Sequence, residues 1–251
     1  MGADQNIDWQ IAAASVLEWW RDAGVDTLAD EAPRDWTAAP APVVRETKRH
    51  AVAEPSAPVA APLPTAIDAY VAWRTGPEAP EAGWSGSPIF ASGDPQSDIM
   101  IVTDVPDRDD TESGVVLSGA AGRLFDRMLA AIGRDRSSVY IVPMCTIRPV
   151  AGRIAPEIEQ RLSQLIRHHV AIVEPKRLFV LGNAPSRALT GADVARSRGS
   201  LQLVNVEVGQ SGSTIAVEAV ASFHPRLLLE RPAEKARAWK DLQMLIAGLG
   251  A

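Results

Sequence analysis

Ile99-Met100-Ile101-Val102 is an unbroken apolar run between Asp98 and the polar pair Thr103-Asp104. Strand side chains alternate between faces, so a strand apolar at every position must be covered on both sides. Val139-Tyr140-Ile141-Val142 and Leu178-Phe179-Val180-Leu181 have the same character. Between the first two runs, a helix over about 120–132 would carry Leu124, Phe125, Met128, Leu129 and Ile132 on one face. Pro156 opens another helix, with Ile158, Leu162, Leu165, Ile166 and Val170 at helical spacing. A short helix, strands near 201–207 and 214–222, and an amphipathic helix over about 233–247 complete the pattern. Strand–helix alternation of this kind predicts an α/β fold: three layers, α/β/α, with a mainly parallel central sheet. Ligands of such sheets sit at the carboxyl ends of the strands. Here those ends are residues 103–107, 143–148, 182–183 and 224–229.

The last of these draws most notice. The alternating run Thr214-Ile215-Ala216-Val217-Glu218-Ala219-Val220 delivers Phe223-His224-Pro225-Arg226-Leu227-Leu228-Leu229. Pro225 lacks a backbone donor and has a fixed φ, so the ladder ends there and His224 is left at a rim. A histidine so placed suits polar chemistry, or else it caps a turn.

Upstream, the composition changes twice. Residues 1–36 hold eight acids against Arg21 and Arg34, and Asp8 can cap a helix to about Ala23 that carries Trp19 and Trp20. Residues 37–64 are rich in Pro and Ala and have no aromatic side chain, the composition of a linker. The expected organisation is an acidic helical segment (1–36), a linker (37–64) and an α/β domain (65–251).

The net charge of −6 belongs to the first segment; the rest is neutral overall, and 141–251 has fourteen Lys or Arg against nine acids. That bias has the sign a phosphate-backbone partner requires, although a solvated basic surface reads the same way. The longest apolar runs fall well short of the ~20 residues of a membrane span. No basic, apolar leader opens the chain, and the expectation is a cytoplasmic monomer that does not engage membranes. The single cysteine, Cys145, excludes an intramolecular disulfide and any all-cysteine metal site within one chain. It reads as a buried bystander, and His168-His169 read as surface and boundary residues of a helix. No metal site and no cofactor are expected.

Several blocks occur in an order that resembles a known family. Phe90-Ala91-Ser92-Gly93-Asp94-Pro95 precedes the first strand, and Gly119-Ala120-Ala121-Gly122-Arg123-Leu124-Phe125 opens the helix after it. Arg148-Pro149, Arg198-Gly199 and His224-Pro225, with Leu228-Leu229, Pro232, Lys235 and Trp239, follow in turn. Together they resemble family 4 of the uracil-DNA glycosylase superfamily from about Phe90 to Ala247. The resemblance implies a DNA-repair hydrolase that flips a uracil or another damaged base out of the stack and cleaves its N-glycosidic bond.

The departures are specific. The four cysteines that usually hold an iron–sulfur cluster in that family are absent: Ile147 and Arg161 occupy the last two positions, and residues 65–97 supply neither of the first two. The first motif, usually Gly-Glu-Ala-Pro-Gly, reads Thr103-Asp104-Val105-Pro106-Asp107. The family's stacking phenylalanine aligns with Leu117, and the asparagine that reads the uracil edge aligns with Pro143.

By this resemblance Asp104 and His224 are the catalytic candidates. The cleavage makes an oxocarbenium-like sugar and an anionic base, so it needs a carboxylate by the sugar and a donor at the base carbonyl. A capping role for Asp104 in its acidic loop is the alternative. Val105, Pro106, Leu117 and Pro143 would surround the base. Ser118 and Gly119 at a helix start, with Arg148, Arg153, Arg198 and Arg226, would meet phosphates, or be ordinary surface groups. Pro225, Leu227 and Leu228 would line the DNA side, with one leucine as a wedge or both in the core. A second reading is a catalytically silent DNA-binding or repair scaffold. The Trp-bearing N-terminal helix would suit a repair or replication partner that takes a helix in a groove.

Overall fold

A computed structural model of the chain describes residues 62–150, 152, 154–208 and 213–249, together with Ala14, Ser15, Val16, Glu18 and Trp19. The chain divides into two compact units, Met1–Pro58 and Val59–Ala251. Of the first, the five described residues are helical and exposed. The rest of the expected helix, including Trp20, and the linker up to residue 61 lie outside the described residues.

Among the described residues of the second unit the strands are β1 (Ile99–Thr103), β2 (Tyr140–Pro143), β3 (Arg177–Leu181), β4 (Leu201–Val208) and β5 (Ser213–Ser222), in the order β2-β1-β3-β5-β4. The first four in that order run parallel, and β4 closes the edge antiparallel to β5. The helices are α1 (Ile67–Arg74), α2 (Arg108–Ser113), α3 (Gly119–Ala131), α4 (Pro156–Val173), α5 (Asn183–Thr190), α6 (Val194–Ser197), α7 (Pro225–Glu230) and α8 (Lys235–Ile246).

Alternation along β1 decides the layers. Met100 and Val102 face one core with Val142, Val180 and the α4 residues Leu162, Leu165 and Val170. Ile99 and Ile101 face the other with Phe179, Val220, Phe125 and Leu129 of α3, and Leu242 of α8. The three-layer α/β/α architecture follows from these two covered faces.

One side-chain assignment is corrected. His169 is buried rather than at a boundary: its ring stacks on Phe90 at 5.6 Å and its Nε2 lies 3.1 Å from the Tyr140 hydroxyl. Burial lowers its pKa to about 3, so it is a neutral core residue. His168 is half-buried and bonds the Pro64 carbonyl at 2.8 Å, tying residue 64 to the domain.

A buried polar clamp joins α1 to the loop after β2. Arg74 makes a two-point contact with Glu81, 3% and 0% exposed respectively. Glu81 also accepts the Thr146 N–H at 3.0 Å, and Arg74 donates to the Met144 carbonyl at 3.2 Å. A buried pair of this kind holds only while both members and their extra hydrogen bonds are present.

Candidate active site

Register brings the strand ends together. Thr103 pairs with Pro143 and Leu181, and Leu181 pairs with Ser222. Asp104, Met144, Gly182 and Phe223-His224 therefore leave the sheet along one edge. Asp104 accepts the Val105 N–H at 2.9 Å. Gly182 has φ +107, and a Cβ there would lie 3.3 Å from Asp104 Oδ2. Backbone angle and close approach both favour glycine at this position.

Two adjoining cavities open at this edge. One, of about 340 Å³, is lined by Asp104, Val105, Cys145, Arg148, Asn183 and Arg226, among others. The second, also about 340 Å³, is lined by Asp104, Asn183, His224, Arg226 and Leu227, among others. Asp104, Asn183 and Arg226 belong to both, so Asp104 and His224 meet around one shared space.

His224 is the N-cap of α7. Its Nδ1 accepts the Arg226 N–H at 3.2 Å, and its Nε2 lies 3.0 Å from Thr103 Oγ1. With Nδ1 accepting, the proton of the neutral ring sits on Nε2 and is donated to Thr103. Burial first, then the Arg226 charge, lowers the ring's pKa to about 4. The imidazole is thus a neutral donor at physiological pH. Burial raises the Asp104 carboxyl above its ordinary value, against the Val105 N–H and Arg226, which favour the charged form.

The remaining candidates divide by location. Arg148 and Arg226 stand on the cavity wall, and both reach Asp107: Arg148 Nη1 lies 3.3 Å from Oδ1, and Arg226 Nη1 lies 3.0 Å from Oδ2. Pro106 is buried and its carbonyl accepts Arg148 Nη1 at 3.1 Å. Arg198 lies away from the wall, bonded to the buried Asp241 carboxylate at 2.9 Å and set over the Phe223 ring at 5.1 Å. Leu227 is half-buried on the second cavity, whereas Leu228 and Leu117 are packed in the core with Phe125. Pro143 is buried as the last residue of β2, and Pro225 is buried in the first turn of α7. Arg153 lies outside the described residues.

The start of α3 is occupied by acids. Ser118 donates both its N–H (2.6 Å) and its hydroxyl (2.8 Å) to Asp110, and a Cβ on Gly119 would meet Asp109 Oδ2 at 1.6 Å. These carboxylates take the place a phosphate would need. Sequence reasoning missed Asn183, whose Oδ1 accepts the Val194 N–H at 3.2 Å, and Arg187, held by Glu159 and Asp193 at 2.8 Å each. Both line the first cavity. The Gly182-Asn183 turn after β3 was the available signal.

A family model described as the uracil DNA glycosylase superfamily matches residues 90–243, more than half of the chain. The chain belongs to the uracil DNA glycosylase superfamily. Curated relatives include a type-4 uracil-DNA glycosylase of Pyrobaculum aerophilum, 30% identical over 163 residues, covering 64% of this chain and 82% of that protein. One of Archaeoglobus fulgidus is 28% identical over 147 residues, covering 56% of this chain and 71% of its own length. A third, of Sulfurisphaera tokodaii, is 32% identical over 96 residues, covering 38% and 44%.

The residues of this superfamily member do not fit a thiolate-held iron–sulfur cluster. Cys145 is its one cysteine, and the thiol is buried, donates to the Ile147 carbonyl at 3.0 Å, and is pushed up to about 12, chiefly by burial. Ile147 is buried, and Arg161 bonds Gln164 on α4 at 2.9 Å. Among the described residues no group of His, Cys, Asp or Glu is arranged to hold a metal, and no helix is long and apolar enough to cross a membrane.

Proposed function

We propose that the chain hydrolyses the N-glycosidic bond of uracil or another damaged base in DNA. The observation that carries this reading is the placement of Asp104 and His224 on adjoining cavities of one strand edge in a member of this superfamily. The relatives named uracil-DNA glycosylases support the choice of uracil as the first substrate to try.

In this reading a flipped nucleotide enters the shared space with its sugar toward Asp104. The carboxylate stabilises the positive charge that develops on the sugar and orients a water. As the C1′–N bond breaks, its electron pair leaves on the base, the water oxygen bonds to C1′, and Asp104 takes the water's proton. His224 turns its Nε2–H from Thr103 to the base carbonyl, where negative charge gathers. Arg148 and Arg226 hold phosphates at the mouth, and Leu227 stands where an apolar side chain fills the vacated stack.

Three contacts favour a second reading, a DNA-binding scaffold without catalysis: the His224 donor is held by Thr103, and both mouth arginines are held by Asp107. A release assay on oligonucleotides carrying uracil, hypoxanthine or xanthine decides between them. Release of a free base supports the glycosylase, and binding with no release from any substrate supports the scaffold.

A further inference from the structure

The Asp107 carboxylate lies between two guanidinium groups, one from the loop after β2 and one from α7. Oδ1 faces Arg148 at 3.3 Å and Oδ2 faces Arg226 at 3.0 Å. The three side chains are 30%, 43% and 42% exposed, so solvent and a ligand both reach them. Arg148 and Arg226 line the cavity that holds Asp104. Two guanidinium groups converging on one anion at a cavity mouth form a recognition geometry for a phosphate oxyanion. Burial alone would raise the Asp107 carboxyl, but Arg226, the Arg108 N–H and Arg148 together hold it below its ordinary value. The anion is thus the form the site prefers.

We infer that Asp107 is an internal occupant of a DNA phosphate site, and that a backbone phosphate must displace it to take up Arg148 and Arg226. The inference rests on the reading of the chain as a DNA-acting protein. Exposed ion pairs are weak enough for a phosphate to compete with them. Asp107 is held in position independently of the arginines. It caps α2, its N–H donates to Asp110 Oδ2 at 2.9 Å, and its side chain accepts the Arg108 N–H at 3.1 Å. After displacement the carboxylate stays beside the phosphate and repels it. Asp107 therefore sets how tightly and with what salt sensitivity DNA binds, and it acts through the two arginines.

The test is equilibrium binding of the full chain to oligothymidylate, which carries no base to be excised, across a salt range of ~50 to ~200 mM. Asn and Ser both cap helices well, so Asp107→Asn and Asp107→Ser keep the α2 cap while removing the charge. Both variants should bind several-fold tighter at low salt. Their plots of log affinity against log salt should be steeper by about one unit, the effect of one more net positive charge on phosphate. In a chain that also carries Arg148→Ala and Arg226→Ala, the gain should vanish. Unchanged or weaker binding by both variants overturns the inference, as does a gain that survives loss of both arginines. Base release measured in parallel separates the two claims. The binding pattern with no release from any substrate leaves the Asp107 site standing and removes the glycosylase reading. Release without the binding gain does the reverse.

Discussion

His224 and Thr103 are joined across the sheet edge by a 3.0 Å hydrogen bond between imidazole Nε2 and the threonine hydroxyl. Thr103 is 3% exposed, so in the free protein this bond turns the donor toward the sheet and away from the substrate space. In the proposed mechanism a ligand must draw the proton out of that bond before His224 can meet a base carbonyl.

Removing the hydroxyl should therefore raise the chemical rate. Thr103→Val keeps the shape of the side chain and frees the donor. A neutral hydrogen bond is worth about 1 kcal/mol, which corresponds to a gain of about five-fold in single-turnover base release. The gain should be absent when His224→Ala is also present. A loss of rate at unchanged thermal stability would mean that Thr103 assists His224 rather than restrains it.

The pH profile should show one acidic limb and none near the ordinary histidine value. Burial raises the pKa of Asp104, so with Asp104 as the proposed carboxylate release should climb with pH through a limb above the usual aspartate range and then level off. His224, with a pKa of about 4, stays neutral across the plateau. Single-turnover rates over the acidic to neutral range check this. A limb near the ordinary histidine value that His224→Ala abolishes would show that the ring works as a cation.

The Arg74–Glu81 clamp should govern the stability of the region around residues 144–147. Arg74→Met leaves the Glu81 charge buried and unpaired, at a cost of about 3–5 kcal/mol. Arg74→Met with Glu81→Met should recover part of that loss, because no lone charge remains. Thermal melting of the three proteins measures the effect. A single variant as stable as the parent would mean that water reaches the pair.

The strands and main helices were legible because the apolar runs at 99–102, 139–142 and 178–181 have few alternatives to a sheet covered on both faces. The antiparallel placement of β4 was not, since a half-exposed strand carries no mark of its direction. The candidate site was legible as four loops but not as contacts. Nothing in the order Thr103-Asp104 shows that the threonine would hold His224, and nothing near Arg198 shows that Asp241 would hold it over the Phe223 ring. Leu117 sits among core side chains because its neighbours Val116 and Phe125 are buried with it, a packing outcome that alignment to an aromatic position does not reveal. Asn183 was passed over because a Gly-Asn turn after a strand is ordinary loop chemistry until the cavity beside it is seen.

Single-turnover base release from oligonucleotides carrying uracil, hypoxanthine or xanthine, by the parent chain, Asp104→Asn and His224→Ala, tests the proposal at its centre. Pro143 offers no side-chain hydrogen bond and Leu117 lies in the core, so the parent should release bases slowly and with relaxed choice, fastest from single strands or mismatches. Asp104→Asn should lower release by about 10²–10⁴ and His224→Ala by about 10²–10³. Undiminished release by both variants would contradict the assignment of the chemistry to this strand edge.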